Sequence, residues 1–226
     1  MRVLDLFCGA GGAGIGLSRA GFDVIGVDQA CQPAYPFAFV QADALSPPFK
    51  LTDFDLIWAS PPCQGYSPHV SSRSSKWVST LGKDEPRLIN DVRAMLAASG
   101  VPYVIENVAG AKTYLRDPLM LCGAMFGLPL ARHRYFETSF MVMAPPHGTC
   151  RGVAKSFAES KGWEYRDMSV TGKGRRSGTA ARWKEILGMP SDHLATQHQL
   201  AEAIPPAYSE WIGGFAKAAK SGGLTQ

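Results

Sequence analysis

Val3-Leu4-Asp5-Leu6-Phe7-Cys8-Gly9-Ala10-Gly11-Gly12-Ala13-Gly14 sets a short apolar run directly before a glycine-rich turn, and Ile15 to Ala20 continues it as an amphipathic stretch. Strand, turn and helix in that order open a βαβ unit. The turn also lets a ligand approach the backbone and the positive end of the helix dipole. Outward from this start the pattern repeats. Gly21-Phe22 ends the helix, Val24-Ile25-Gly26-Val27 reads as a second strand with Asp28 at its carboxyl end, and Phe39-Val40-Gln41 is a weaker third followed by Ala42-Asp43. Leu56 to Ala59 is a fourth, and Tyr103-Val104-Ile105 a fifth that leads into Glu106-Asn107. Pro86 to Ala98 carries Leu88, Val92, Met95 and Leu96 at helical spacing, Arg134 to Thr138 reads as another strand, and Trp183 to Leu187 as ordered structure. Pro206 to Lys220 closes the chain as a helix with Tyr208, Ile212 and Phe215 on one face. The alternation predicts an α/β fold with a doubly wound, mostly parallel sheet.

At 226 residues and 46% hydrophobic, the chain is long enough for one substantial core. The net charge of +4 is unevenly spread. Arg151, Lys155, Lys161, Arg166, Lys173, Arg175, Arg176, Arg182 and Lys184 face only Glu159, Glu164 and Asp167, so the whole excess of positive charge belongs to one late stretch, and a polyanion is its natural partner. Five cysteines with no Cys-x-x-Cys pair predict a reducing, cytoplasmic setting and no metal site, and the first residues do not read as a signal peptide. No apolar run reaches the roughly 20 residues needed to span a bilayer. A soluble monomer is expected.

Ser60-Pro61-Pro62-Cys63-Gln64 follows the fourth strand. Its two prolines hold the backbone in a fixed path, which suits a loop that must aim one side chain, so Cys63 reads as a nucleophile. A lone cysteine reads equally well as a small buried hydrophobe, and the neighbours decide. Asp28 is placed for ribose hydroxyls and Asp43 for an adenine amino group, which predicts an adenosine cofactor. The glycine turn alone does not separate a nicotinamide dinucleotide from S-adenosylmethionine. Glu106, on the strand adjacent to the Cys63 loop, separates them. Carbon 5 of a pyrimidine becomes nucleophilic only after a thiolate adds to carbon 6, and that addition is easier if a buried, protonated carboxyl serves N3.

Asp5-Leu6-Phe7-Cys8-Gly9-Ala10-Gly11-Gly12, Pro61-Pro62-Cys63-Gln64-Gly65-Tyr66-Ser67, Glu106-Asn107-Val108 and Arg132-His133-Arg134 resemble, in order and spacing, the motifs of DNA (cytosine-5) methyltransferases. The resemblance implies a small phage- or bacterial-type member with a Rossmann-like catalytic domain at 1–141 and 183–226. It assigns Cys63 as nucleophile, Glu106 as the acid that holds the cytosine, Arg134 to the cytosine carbonyl, Arg132 to bracing the catalytic loop, and Asn107 to bracing the loop of Cys63. Phe7, Gly9, Ala10, Gly11, Gly12, Asp28, Asp43, Pro61 and Ala203 would hold S-adenosylmethionine. Residues 142–182 would form a reduced target-recognition segment for DNA, and Ser67 to Lys83, with Arg73 and Lys76, a lid over a flipped base. Asp28, Leu130 and Ala201-Glu202 depart from the family pattern. The small recognition segment leaves room for RNA, a single strand or a modified donor as alternatives, and a catalytically silent nucleic-acid-binding module is a further one.

Overall fold

The computed structural model describes residues 1–66, 86–164, 170 and 179–222. The expected lid, with Arg73 and Lys76, and the basic residues Arg166, Lys173, Arg175 and Arg176 lie outside the described residues. The strands are β1 (Arg2–Leu6), β2 (Asp23–Asp28), β3 (Ala38–Gln41), β4 (Leu56–Ala59), β5 (Tyr103–Asn107), β6 (Leu119–Leu121) and β7 (Arg134–Thr138). The helices are α1 (Gly12–Arg19), α2 (Ile89–Ser99), α3 (Cys150–Ser160), α4 (Ala180–Leu187), α5 (Gln197–Glu202) and α6 (Pro206–Lys220). Seven strands form one sheet in the order β3-β2-β1-β4-β5-β7-β6. β3, β2, β1, β4 and β5 pair in parallel, while β7 runs antiparallel to both β5 and β6. The fold is therefore the mostly parallel, doubly wound sheet that the alternation predicts. Among the described residues no helix is long and apolar enough to cross a membrane.

Both faces of the central strands are covered, which is why β4 reads as an unbroken apolar run. On one face Val3, Val24, Trp58, Val104 and Phe136 pack with Leu17 of α1 and with Tyr208 and Ile212 of α6. On the other, Leu4, Leu6, Ile57 and Ile105 pack with Ile89, Val92 and Leu96 of α2. A third apolar cluster joins Ala158 of α3 and Trp183, Ile186 and Leu187 of α4 to Leu200 of α5 and Ile15 of α1, so it runs across the expected boundary at residue 182. In α6 the buried stripe continues through Ala216 rather than Phe215, which instead packs its ring at 5.5 Å from Trp211.

A buried ion pair fixes β7 against α2. Arg93 grips Glu137 through two bonds of 2.7 Å, and the carboxylate also accepts from the Arg116 backbone N–H at 2.8 Å. Burial opposes the charge on Glu137, but Arg93 and the backbone donor outweigh it and hold the carboxyl below its usual range.

Helices α1 and α6 approach each other closely at Gly16. A Cβ on Gly16 would stand 2.0 Å from the Pro206 carbonyl oxygen and 2.1 Å from Ser209 Oγ. Ser209 Oγ itself donates to the Ala13 carbonyl at 2.8 Å. Helix propensity favours alanine over glycine by roughly 1 kcal/mol, whereas forcing a methyl into a closed backbone contact costs about 1–3 kcal/mol or more. The clash wins. Gly16→Ala is expected to lower stability by about 2 kcal/mol, read as a lower urea midpoint at unchanged slope.

Candidate active site

Side-chain parity selects the site. Strand register sets Gly26 beside Asp5 and Asp5 beside Trp58, with Glu106 opposite Phe136. Because alternate residues share a face, Asp5, Asp28, Glu106 and Arg134 all project to the face covered by α1 and α6, at or near the carboxyl edge of the parallel strands. A cleft of about 400 Å³ opens there, where the sheet order reverses between β1 and β4.

One end of the cleft is built by the glycine turn. Phe7 lies at φ 57°, where side chains are rarely found, and such a conformation costs on the order of 1–3 kcal/mol. Gly9 and Gly11 follow at φ 49° and 87°. Nothing lies within 4 Å of the Cβ position of Gly9, while a Cβ on Gly12 would meet the Ile204 carbonyl oxygen at 2.5 Å. Asp28 accepts from the backbone N–H groups of Gly9 at 3.0 Å and Ala30 at 2.9 Å, and so ties the end of β2 to the turn. Asp43 accepts from the Leu45 N–H at 2.9 Å through Oδ1. Two carboxylates at strand ends, an open glycine backbone and Ala203 on the far wall fit an adenosine-bearing molecule.

The other end holds the thiol. Cys63 is half-buried and lines the cleft with Pro61, Pro62, Glu106 and Arg134. Asn107 Nδ2 donates to the Pro61 carbonyl oxygen at 2.9 Å, which fixes the loop that carries Cys63. Arg134 Nε stands 3.0 Å from Glu106 Oε1. Burial raises the pKa of Glu106 in spite of Arg134, Arg132 and a hydrogen bond from Ser60, which all favour the charged form. Ser60 Oγ in turn accepts from the indole N–H of Trp58 at 3.0 Å.

Of the residues expected from sequence, Phe7, Gly9, Ala10, Gly12, Asp28, Asp43, Pro61, Cys63, Glu106, Arg134 and Ala203 line the cleft. Gly11, Asn107 and Arg132 stand behind it. Arg132 takes an unexpected path. Its guanidinium donates to the carbonyls of Val170 at 2.9 Å and Ala201 at 2.5 Å, so it spans the late basic segment and the end of α5, and its backbone carbonyl accepts from Tyr208 Oη at 2.6 Å. Burial, then the like charge of Arg134, lowers its pKa to about 9, and it remains charged at neutral pH. Ser60, Gln199, Glu202 and Asp5 also line the cleft and were missed. For Ser60 a signal existed, since it lies two residues beyond Trp58 at the end of an alternating strand. The described basic residues divide by role: Arg151 and Lys155 stand exposed on α3, Lys161 pairs with Glu185 at 2.8 Å, Arg182 sits 4.1 Å over the Trp163 ring, and Lys184 bonds the carbonyls of Ser191 and His193.

Residues 1–161 match the family model described as C-5 cytosine-specific DNA methylase. The chain belongs to this family. Two curated relatives of the chain are type II methyltransferases. M.AgeI of Thalassovita gelatinovora is 29% identical over 60% of this chain and 38% of its own length, and M.HgiDI of Herpetosiphon aurantiacus is 25% identical over 68% and 55%. The chain thus spans about two fifths to a little over half of these relatives. Among solved structures, the fold is similar to that of the methyltransferase EhMeth of Entamoeba histolytica, with a TM-score of 0.61 at 15% identity over 97% of this chain and 98% of that one. It is also similar to the Dnmt2 methyltransferase of S. pombe, with a TM-score of 0.58 at 15% identity over 97% and 99%. Membership of the family implies use of S-adenosylmethionine.

Asp5 gives the protein a pH signature. Fully buried, with Tyr35 Oη donating to Oδ2 at 3.0 Å and Oδ1 unpaired, its carboxyl is pushed up from 3.8 to about 7 by burial. The folded protein therefore keeps a proton between about pH 4 and pH 7 that the unfolded chain has released, and stability falls as pH rises through that window. At 1.36 kcal/mol per pKa unit the loss is about 4 kcal/mol. Asp5→Asn should flatten this dependence, so that urea unfolding at about pH 5 and about pH 8 gives nearly equal stabilities for the variant but not for the parent.

Proposed function

We propose that the protein is a DNA (cytosine-5-)-methyltransferase that acts on a flipped-out cytosine through a covalent bond from Cys63. The observation that carries this reading is the convergence of Cys63, Glu106 and Arg134 on one end of a cleft whose other end is the glycine turn with Asp28 and Asp43.

Phe7, Gly9, Ala10 and Gly12 would cradle S-adenosylmethionine, with Gly11 shaping the turn, Asp28 at the ribose, Asp43 at the adenine, and Pro61 and Ala203 closing the walls. Bound there, S-adenosylmethionine supplies an electrophilic methyl group. The Cys63 thiolate adds to carbon 6 of the ring while protonated Glu106 passes its proton to N3, which leaves the electron pair on carbon 5. Burial raises the pKa of this carboxyl, the direction that favours proton donation. Arg134 holds the cytosine carbonyl, and Asn107 keeps the thiol aimed by anchoring Pro61. Once carbon 5 carries the methyl group, its proton passes to a solvent base, the carbon 5–carbon 6 double bond reforms with expulsion of the Cys63 thiolate, and N3 returns its proton to Glu106. The thiol must approach from above the ring plane, which stacking blocks, so the base has to leave the duplex. Exposed Arg151 and Lys155, with Lys173, Arg175 and Arg176, would contact phosphates.

Incubation with S-adenosylmethionine and duplex DNA containing 5-fluorocytosine tests the reading. A denaturing-gel-stable adduct is expected, absent in Cys63→Ala. An adduct that forms only on a single strand or on RNA would move the substrate, and none on any nucleic acid would leave a silent module. Glu106→Gln should lower kcat by about 10²–10⁴-fold while keeping the parent fold, and should remove the alkaline fall in rate that deprotonation of Glu106 causes in the parent.

A further inference from the structure

Outside the cleft, four metal-ligating side chains converge where the late basic segment meets the sheet. Cys122 follows β6, and His133 precedes β7. The β6–β7 register pairs Leu121 with Arg134, so Cys122 and His133 are the next opposed pair outward. The chain then leaves β7 and returns to begin α3, which brings His147 and Cys150 back over that pair. Cys122 Sγ lies 3.4 Å from Cys150 Sγ. Cys150 Sγ lies 2.9 Å from His147 Nε2 and 3.5 Å from His133 Nε2, and one donor atom from each of the four residues lies within 4.8 Å of the others. The two imidazole rings meet edge to face with centroids 5.3 Å apart.

We propose that Cys122, His133, His147 and Cys150 form a tetrahedral zinc site that pins the start of the recognition segment to the catalytic sheet. Zinc–sulfur bonds of about 2.3 Å and zinc–nitrogen bonds of about 2.0–2.1 Å in a tetrahedron set donor atoms about 3.3–3.8 Å apart. Those three distances bracket or approach that range, and the 4.8 Å limit on the whole set means that closure around an ion requires shifts of no more than about an ångström. The donor chemistry agrees: two thiolates and two imidazoles are the ligand types that select zinc over magnesium or calcium. A disulfide between Cys122 and Cys150 would need its sulfurs at about 2.0 Å and gives no role to two converging imidazoles. The ligands are separated by ten, thirteen and two residues, so a search for Cys-x-x-Cys passes over them.

The site has a bearing on the cleft. His133 lies between Arg132 and Arg134, and alternation of side chains sends it away from the face on which Arg134 meets Glu106. Holding His133 to a metal fixes the backbone that aims both arginines, and holding Cys150 fixes the first turn of α3, which carries Arg151 and Lys155.

The test is metal content of the full chain, purified under reducing conditions after growth with added zinc and dialysed against a weak chelator. About one zinc per chain is expected, falling below about 0.2 in Cys150→Ser and in His147→Ala. His147 is exposed and Cys150 half-buried, and far-ultraviolet circular dichroism checks that each variant folds. Cobalt reconstitution should give the strong visible absorption of a tetrahedral thiolate site, lost in the same variants. A parent chain that retains no stoichiometric zinc after reconstitution overturns the proposal, as does full zinc binding by both variants. A native mass two protons lighter than the sequence, restored by reductant, would overturn it in favour of a disulfide.

Discussion

The close contact between α1 and α6 is the constraint on which the cleft depends. Helix α6 begins at Pro206, immediately after the 203–205 segment, so whatever holds α6 on α1 also delivers Ala203 and Ile204 to the mouth of the glycine turn. Gly16 makes the approach possible by presenting no side chain to Pro206 and Ser209, and Gly12 repeats the device one turn earlier against Ile204. The first and last of the described helices are thereby made to share one wall. Non-local closure of this kind forms only after both ends exist, and a lost contact in α6 is felt at the far end of the sequence.

A second theme is electrostatic. Glu106 is buried beside Arg134 and within reach of Arg132, an environment in which desolvation and two cations act in opposite directions. Desolvation is the larger influence, and the carboxyl is held above its usual range. The contrasting carboxylate is Glu137, next to Glu106's partner Phe136 on β7 and projecting to the opposite face. There Arg93 and a backbone N–H overcome burial and keep the group charged. Neighbouring strands thus carry one carboxylate whose pKa burial raises and one that an ion pair lowers while it ties β7 to α2.

Much of this was legible in the sequence, for reasons of period and spacing. Apolar runs ending in Asp28, Ala59 and Glu106, each followed by a turn or a helix, announce parallel strands whose carboxyl ends point one way. The β6 strand, at Leu119–Leu121, is too short to show a period, and α3 is polar overall and buries only the small side chains of Ala154 and Ala158. The contacts of Arg132 were equally unreadable, because its partners lie 38 and 69 residues away. Charge counting found the basic segment but could not tell Arg151, which is exposed, from Arg182 and Lys184, which stabilise the segment itself.

Arg132 joins two parts of the molecule that sequence treats as separate. One buried guanidinium holds the carbonyl of Val170, beside the basic loop, and the carbonyl of Ala201, at the wall of the cleft. Displacing either carbonyl leaves a cationic donor unsatisfied in a dry interior, at a cost of about 1–3 kcal/mol or more. The two segments consequently behave as one body about that side chain. Thermodynamic linkage then makes their positions mutual: whatever fixes the Val170 backbone favours the placement of Ala201 by the same free energy with which fixing Ala201 favours that of Val170.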